Sequence, residues 1–355
     1  MNTPSLAGRR DLLVPVQVTA MVALSAVSAE LLAAYGDSTG DLGLAAFSVV
    51  YFSALYGAPA LLAREVARRA GWGWPSLLLL FLALGLTQAC IIDQSMFSDD
   101  YEGYDGWEES WKATLVQPLG INASNTLNFL VGHVIFSFGA PVALAEAWRR
   151  ARARARAPWL GRRGLIIAGL AYLAAATLIM FQPGSHAASQ TQLGVSVGLV
   201  VGCVGLAALV GRRHRQRPAP EVQRGRRAPT IAVTFTIALV LAVARALVAE
   251  TWAGFAQGVV VTALAAAFVW LSARRPGWGI RHAAAVALAF LVANGLLAFT
   301  YFPLLGEVSA GAKYAHNVVM LLVVLTAGWF ALRTGGSSSA RPAARPAPTP
   351  PTPTA

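Results

Sequence analysis

The sequence predicts an all-α protein, a polytopic transmembrane helical bundle of about ten spans with both termini cytoplasmic. Three observations carry that prediction. Apolar residues make up 56% of the 355-residue chain and charged residues only 12%, where an ordinary soluble domain is about a quarter charged. The apolar residues fall in runs of about 20, the length that crosses a bilayer as a helix. The chain carries a formal charge of +12, yet its arginines are gathered in short connectors between those runs. That placement suits orientation in a membrane, with anionic lipid as the partner at the cytoplasmic face. Nucleic acid is excluded as a partner, because no aromatic stacking platform is interleaved with the basic runs.

The first span is read at residues 12–34, after Arg9 and Arg10. Residues 25–29 have the small side chains of a signal-peptide cleavage site, but the apolar run continues through Leu31, Leu32, Ala33 and Ala34, so a retained span is expected. Span two is read at 42–62, with Gly57 and Pro59 placed to kink it, and a basic cluster of Arg64, Arg68 and Arg69 follows. Span three, 75–92, leads into an outer acidic loop at 93–121. There Asp99, Asp100, Glu102, Asp105, Glu108 and Glu109 crowd around Tyr101, Tyr104, Trp107 and Trp111. Span four, 122–147, ends in the densest basic run, RRARARARAPWLGRR. Spans five (164–181) and six (193–210) are joined by a polar turn with Pro183 and Gly184. The basic connector GRRHRQRPAPEVQRGRR precedes span seven (231–250), and spans eight (255–271), nine (283–302) and ten (317–332) follow. Residues 334–355, rich in Pro, Ala, Ser and Thr, bury too little apolar area to fold and are expected to be a disordered cytoplasmic tail.

Alternating the connectors from a cytoplasmic N-terminus tests this layout. Of the 28 basic residues, all fall in cytoplasmic segments except Lys112, Lys313 and Arg245, while the acidic loop lies wholly outside. One missed or invented span would scramble that sorting. Ten spans leave room for two inverted repeats, but the halves share no matching motif.

An ionisable side chain inside a span is costly, so each one is a functional candidate. In span four Asn122, Thr126, His133 and Ser137 fall within about 60° of one another at 100° per residue, with Asn125 beside them. His133 lies about 16 Å below Asn122 at 1.5 Å per residue. Such a stripe serves either interhelical hydrogen bonding or a cavity lining. Glu30 and Arg245 both sit in the outer third of their spans, where pairing would make each charge tolerable, although Arg245 is long enough to snorkel to the interface. Gln88, Asp93 and Gln94 add polar groups at the outer end of span three, and Asn294 one at mid-depth in span nine. The candidate substrate-binding residues are therefore Glu30, Gln88, Asp93, Asn122, Asn125, His133 and Arg245. They would line a vestibule open to the outside, floored near His133 and lidded by the acidic loop.

Other motifs lead nowhere or stay secondary. Asp99, Asp100, Glu102 and Asp105 are candidate metal ligands, but the segment fails the EF-hand pattern, and a solvated loop resting Trp107 and Trp111 at the headgroups accounts for it. Gly194-Val-Ser-Val-Gly198 matches G-x-S-x-G only formally, since a nucleophile elbow needs a strand-to-helix turn. Gly194, Gly198 and Gly202 instead recur every four residues, a pattern for helix packing. Neither H-E-x-x-H nor a P-loop is present, so no catalytic residue and no cofactor is assigned. Cys90 and Cys203 both sit inside spans, which excludes a disulfide framework. Polar groups scattered over several spans suit a permease-like protein for a small polar solute or ion. An outward-facing enzyme using the acidic loop and His133 is the alternative, and a non-catalytic sensor or assembly component the third reading.

Between residues 56 and 169 stand PALLAREVARRAGWGWPSLLLL, then ALGL followed by DQSM, then GIN, and GHVIFSFGAPVALAEAW with APWLGRRGL. These segments resemble a family of uncharacterised bacterial multi-pass membrane proteins. The resemblance implies a place in the bacterial cytoplasmic (plasma) membrane and makes His133 part of a recurring segment. It also implies a pair of glutamates late in span three, where this chain has Gln88 and Ala89, so an acid–base role at those positions does not carry over.

Overall fold

The computed structural model describes residues 13–100, 106–154, 156–181, 187–216 and 226–333. The fold is nearly all helical. The long helices are α1 (Leu13–Leu31), α2 (Leu42–Arg69) and α3 (Trp74–Ile92), then, after a short α4 (Trp107–Ala113), α5 (Ala123–Trp148), α6 (Arg162–Met180) and α7 (Gln190–Arg213). The chain continues with α8 (Ile231–Ala246), α9 (Trp252–Ala273), α10 (Ile280–Thr300) and α11 (Ala310–Leu332). Among the described residues nine of these helices are long and apolar enough to cross a bilayer, which makes the chain a multi-pass helical membrane protein.

The count differs from the expected ten at α8. Its 16 residues give about 24 Å of helix, short of a hydrocarbon core about 30 Å thick. Thr230 caps its start through Val233 N–H, and it stops at Ala246 rather than residue 250 because the chain turns there into α9, which Thr251 caps through Gly254 N–H. Two other boundaries move outward. α2 runs on to Arg69 because its arginines are paired rather than solvated, and α11 begins at Ala310 because the Ser309 side chain accepts the Ala312 N–H. The acidic segment is not merely a loop: it holds α4 and a two-residue antiparallel pair, β1 (Leu115–Val116) with β2 (Ile121–Asn122). Glu102 and Asp105 lie outside the described residues, as does the tail from residue 334.

α3, α5 and α10 sit at the centre. One core joins α1, α2, α3, α5 and α6 through Met21, Leu55, Phe81, Phe138 and Trp159, and another joins α1, α5, α10 and α11 through Leu31, Leu144, Leu291 and Val324. α10 packs through Ala284, Ala285, Ala287 and Ala289, small residues that let backbones approach where lipid supplies no hydrophobic driving force. Large apolar side chains on α6, α7 and α9 point outward instead, including Ile167, Leu170, Val201 and Val260. In water that surface would be an aggregation liability, whereas in a bilayer it is the solvated face. The glycine stripe of α7 belongs to that outward face. Gly194, Gly198 and Gly202 have nothing within 4 Å of where a Cβ would be, so within this chain they pack against no helix. α7 meets α3 along a different face.

Four of the central helices are interrupted by π-helical turns: Val27–Leu31, Ser53–Gly57, Gln88–Ile92 and His133–Gly139. Two of them come just before a proline, Pro59 and Pro141, whose missing N–H and bulky ring disturb the preceding turn. The expected break at Gly57 and Pro59 is thus absorbed as a widened turn inside one continuous α2. At α5 the accounting is explicit. Ala140 N–H bonds Ile135 O, and the next residue, Pro141, has no N–H to offer Phe136 O. The Ser28 hydroxyl of α1 donates to that carbonyl instead, at 2.6 Å.

Candidate functional site

The π turn of α5 faces those of α1 and α2, and the one in α3 lies at the end of α3 nearest the acidic segment. Each widened turn frees backbone and re-aims side chains, which is why such turns recur at functional sites. Close approaches hold them in place. A Cβ on Gly57 would stand 2.6 Å from Val22 Cα, so only glycine lets α2 lie this near α1. A Cβ on Gly85 of α3 would stand 3.1 Å from His133 Cβ, which seats the histidine against α3.

Tyr56 is the hub. Its hydroxyl donates to Glu30 Oε1 at 2.7 Å, and its ring lies 5.6 Å from the His133 ring. The Tyr35 hydroxyl donates to the other Glu30 oxygen. His133 Nδ1 stands 3.0 Å from Ser137 Oγ, one turn further along α5, and Phe138 covers the imidazole at 6.0 Å. Glu30, Tyr35 and Asp93 are the ionisable neighbours within electrostatic range of Tyr56. Asp93 accepts Ser95 N–H at 2.9 Å and Gln88 Nε2–H at 3.1 Å. Desolvation nevertheless raises the Asp93 carboxyl above the usual range and outweighs those two hydrogen bonds. Tyr56 and Gln88 are buried, whereas Glu30, Tyr35, Asp93 and His133 keep partial exposure. The order is Tyr35, Glu30, Tyr56 and His133, hydrogen-bonded as far as Tyr56 and in ring contact from there, a row of groups that can bind a polar solute or exchange a proton with it.

Four of the sequence-predicted residues thus meet here: Glu30, Gln88, Asp93 and His133. The others do not. Asn122 is a structural anchor with every hydrogen-bonding position of its amide used. It caps α5 through Asn125 N–H, accepts from the Thr114 hydroxyl, and donates to the carbonyls of Ser110 and Trp111. Thr126 bonds back to Asn122 O and to Met96 Sδ, and Asn125 is buried beside them. The Asn122 end of the stripe therefore ties the acidic segment down rather than lining a cavity. Trp111 is buried there, and Trp107 donates to Ser98 O, so neither simply rests among headgroups.

Arg245 is not paired with Glu30. Its guanidinium donates to Asn128 of α5 and lines a separate notch with Glu250. Asp99 and Asp100 are exposed, and among the described residues no group of three His, Cys, Asp or Glu side chains is placed to hold a metal ion.

Sequence reasoning missed two buried charged sites. At the basic end of α2, Arg64, Glu65 and Glu146 are 0%, 0% and 2% exposed. Arg64 bonds Glu65 at 2.6 Å, Glu146 at 3.1 Å and Ala157 O at 2.9 Å, with its guanidinium 3.8 Å from the Trp159 ring centroid. Arg68 grips both Glu146 oxygens, at 2.7 and 2.8 Å, and Trp159 N–H donates to Glu65 at 2.8 Å. The available signal was a lone carboxylate next to each of two arginine runs, in REVARR and in AEAWRR. The second site is Lys313, fully buried rather than in an outer loop. Its ammonium donates to Ala298 O near the end of α10 at 2.7 Å and lies 5.3 Å from Phe302 and 4.4 Å from Tyr314. Nearby, Gly40 N–H donates to His316 Nδ1, which leaves Nε2–H to donate to Leu31 O, the neutral imidazole.

No protein-family model matches the chain, and no curated protein and no solved structure matches it either.

Proposed function

We propose that this chain is a permease-like protein of the bacterial cytoplasmic membrane, moving a small polar solute or ion, with α8 crossing as a short tenth span and both termini inside. The supporting observation is the meeting of Glu30, Tyr35, Tyr56 and His133 at the π turns of three packed helices, with the carboxylate and the imidazole partly exposed. A purely structural polar group is normally closed off and fully bonded, as Asn122 is. In the transport reading Glu30 takes the cationic or hydroxyl part of the solute, or a proton. Tyr56 relays between Glu30 and His133, and Gln88 with Asp93 forms the entrance. Arg245, Asn122 and Asn125 lie outside the path.

The test is flux in proteoliposomes, followed by an entrapped pH dye under an imposed gradient, with and without a panel of amines, sugars and amino acids. Glu30→Gln and His133→Ala are expected to lower flux while leaving folded yield unchanged. Equal flux in wild type and both variants would overturn the reading and favour a non-catalytic membrane component. Thiol labelling of a cysteine introduced at residue 340, from inside only, checks the orientation of the C-terminus.

A further inference from the structure

The notch beside Arg245 has a charge pattern of its own. It lies where the outer end of α8 and the start of α9 meet α5, has an enclosed part of about 10 Å³, room for one water-sized oxygen, and is lined by Ser124, Leu127, Asn128, Arg245, Glu250 and Phe255 among others. A cation and an anion share it, yet neither Arg245 nor Glu250 makes an ion pair with a described residue. Arg245 spends one nitrogen on Asn128, and Glu250 accepts from the Ser110 hydroxyl. Two donors are left over. Arg245 Nε is buried without a partner, and so is Oγ of Ser124, a residue only 6% exposed. The backbone donors at the start of α5 do not explain them, since Ser124 N–H already bonds Thr114 and Asn125 N–H bonds Asn122. A buried polar atom without a partner is expensive, and two on residues that line one notch call for an acceptor to be brought in.

We propose that this notch binds a zwitterionic amino-phosphate, in the form of the headgroup of a phosphatidylethanolamine-type lipid. A phosphate oxygen takes hydrogen bonds from Arg245 Nε and Ser124 Oγ. The ammonium reaches Glu250 at the exposed rim. Leu127 and Phe255 give the glycerol end an apolar wall that continues onto the outward, lipid-facing sides of α8 and α9. Arginine suits the phosphate end because its planar donors match phosphate oxygens, and a carboxylate beside it disfavours headgroups carrying only negative charge. This site is independent of the Glu30–Tyr56–His133 group and stands whether or not that group transports anything.

The experiment is native mass spectrometry of the full-length protein released from bilayers of equimolar phosphatidylethanolamine and phosphatidylglycerol. Wild type is expected to retain phosphatidylethanolamine over phosphatidylglycerol. Arg245→Gln should lower that retention about tenfold, the scale of losing a charge-assisted hydrogen bond. Glu250→Gln should erase the preference while keeping lipid bound, and Ser124→Ala should weaken retention less. Because Glu250 is exposed, its variant tests the site even where Arg245→Gln fails to fold. Soluble phosphoethanolamine, added to delipidated protein, separates the sources. Failure to bind at millimolar concentration supports the lipid, and binding as tight as the lipid's overturns the lipid form. Equal retention of both lipids by wild type, or retention unchanged by both Arg245→Gln and Glu250→Gln, would overturn the site altogether.

Discussion

Two polar regions of the same bundle handle charge in opposite ways. At the basic end of α2, two arginines and two glutamates are sealed from solvent, and each is held by several partners from α2, α5 and the connector after it. Around Tyr56 a carboxylate accepts from two phenols and stays partly exposed, as does His133. The first arrangement binds its charges to one another and shuts them away from any solute. The second keeps groups that change protonation or partner. Complete burial therefore marks the clamp, and partial exposure marks the candidate site.

The comparison breaks most readily at the clamp. Glu146→Gln leaves the buried Arg68 without its carboxylate and Arg64 with Glu65 alone, and is expected to destabilise the protein by about 3–5 kcal/mol, the scale of removing one partner of a buried ion pair. Denaturation in detergent, followed by helical circular dichroism, measures it. A loss no larger than that of an exposed change such as Glu109→Gln would mean the clamp is not structural. Next comes His133→Ala, which should lower proton-coupled flux on the order of a hundredfold, the scale of losing a positioned proton-transfer group, with little change in melting temperature.

Lys313 sharpens the contrast as a third mode, a buried cation held by a carbonyl near a helix C-terminus and by aromatic faces rather than by a carboxylate. Lys313→Met should cost about 1–2 kcal/mol on the same assay, well below the clamp. The smallest effect expected is at Asp93. Its carboxyl is raised by desolvation, so folding favours the protonated form. Its contribution is complete below the unfolded carboxylate value of about 4 and is lost as pH rises through the folded value. Asp93→Asn should flatten that part of the stability–pH curve, and an unchanged curve would show that Asp93 does not titrate there.

Much of the fold was legible because lipid imposes a simple code. Runs of about 20 apolar residues become helices, and Asp41, Thr230, Thr251 and Ser309 sit at helix starts where a side-chain oxygen satisfies an orphan N–H. Glu30, Gln88, Asp93 and His133 were legible as costly polar groups in or beside spans. The clamp was not, because arginine beside a span also reads as a residue facing lipid headgroups, and only contact with Glu65 and Glu146 distinguishes the two. The role of Asn122 was hidden for a similar reason. A helical wheel places it on the stripe of His133, while its partners Ser110, Trp111 and Thr114 belong to another element.

By itself the sequence determined that this is a multi-pass helical membrane protein, because hydropathy and the need to satisfy every backbone group in lipid leave one solution. It also marked the break in α2, through Gly57 and Pro59. Tertiary structure alone decided which charges meet. Glu30 is bonded by Tyr35 and Tyr56 instead of Arg245, Arg64 and Arg68 turn inward to Glu146, and the glycines of α7 face outward. The physical reason is range: hydropathy is a property of each residue and its neighbours in the chain, whereas a charge in low dielectric is governed by what lies within a few ångströms of it in space.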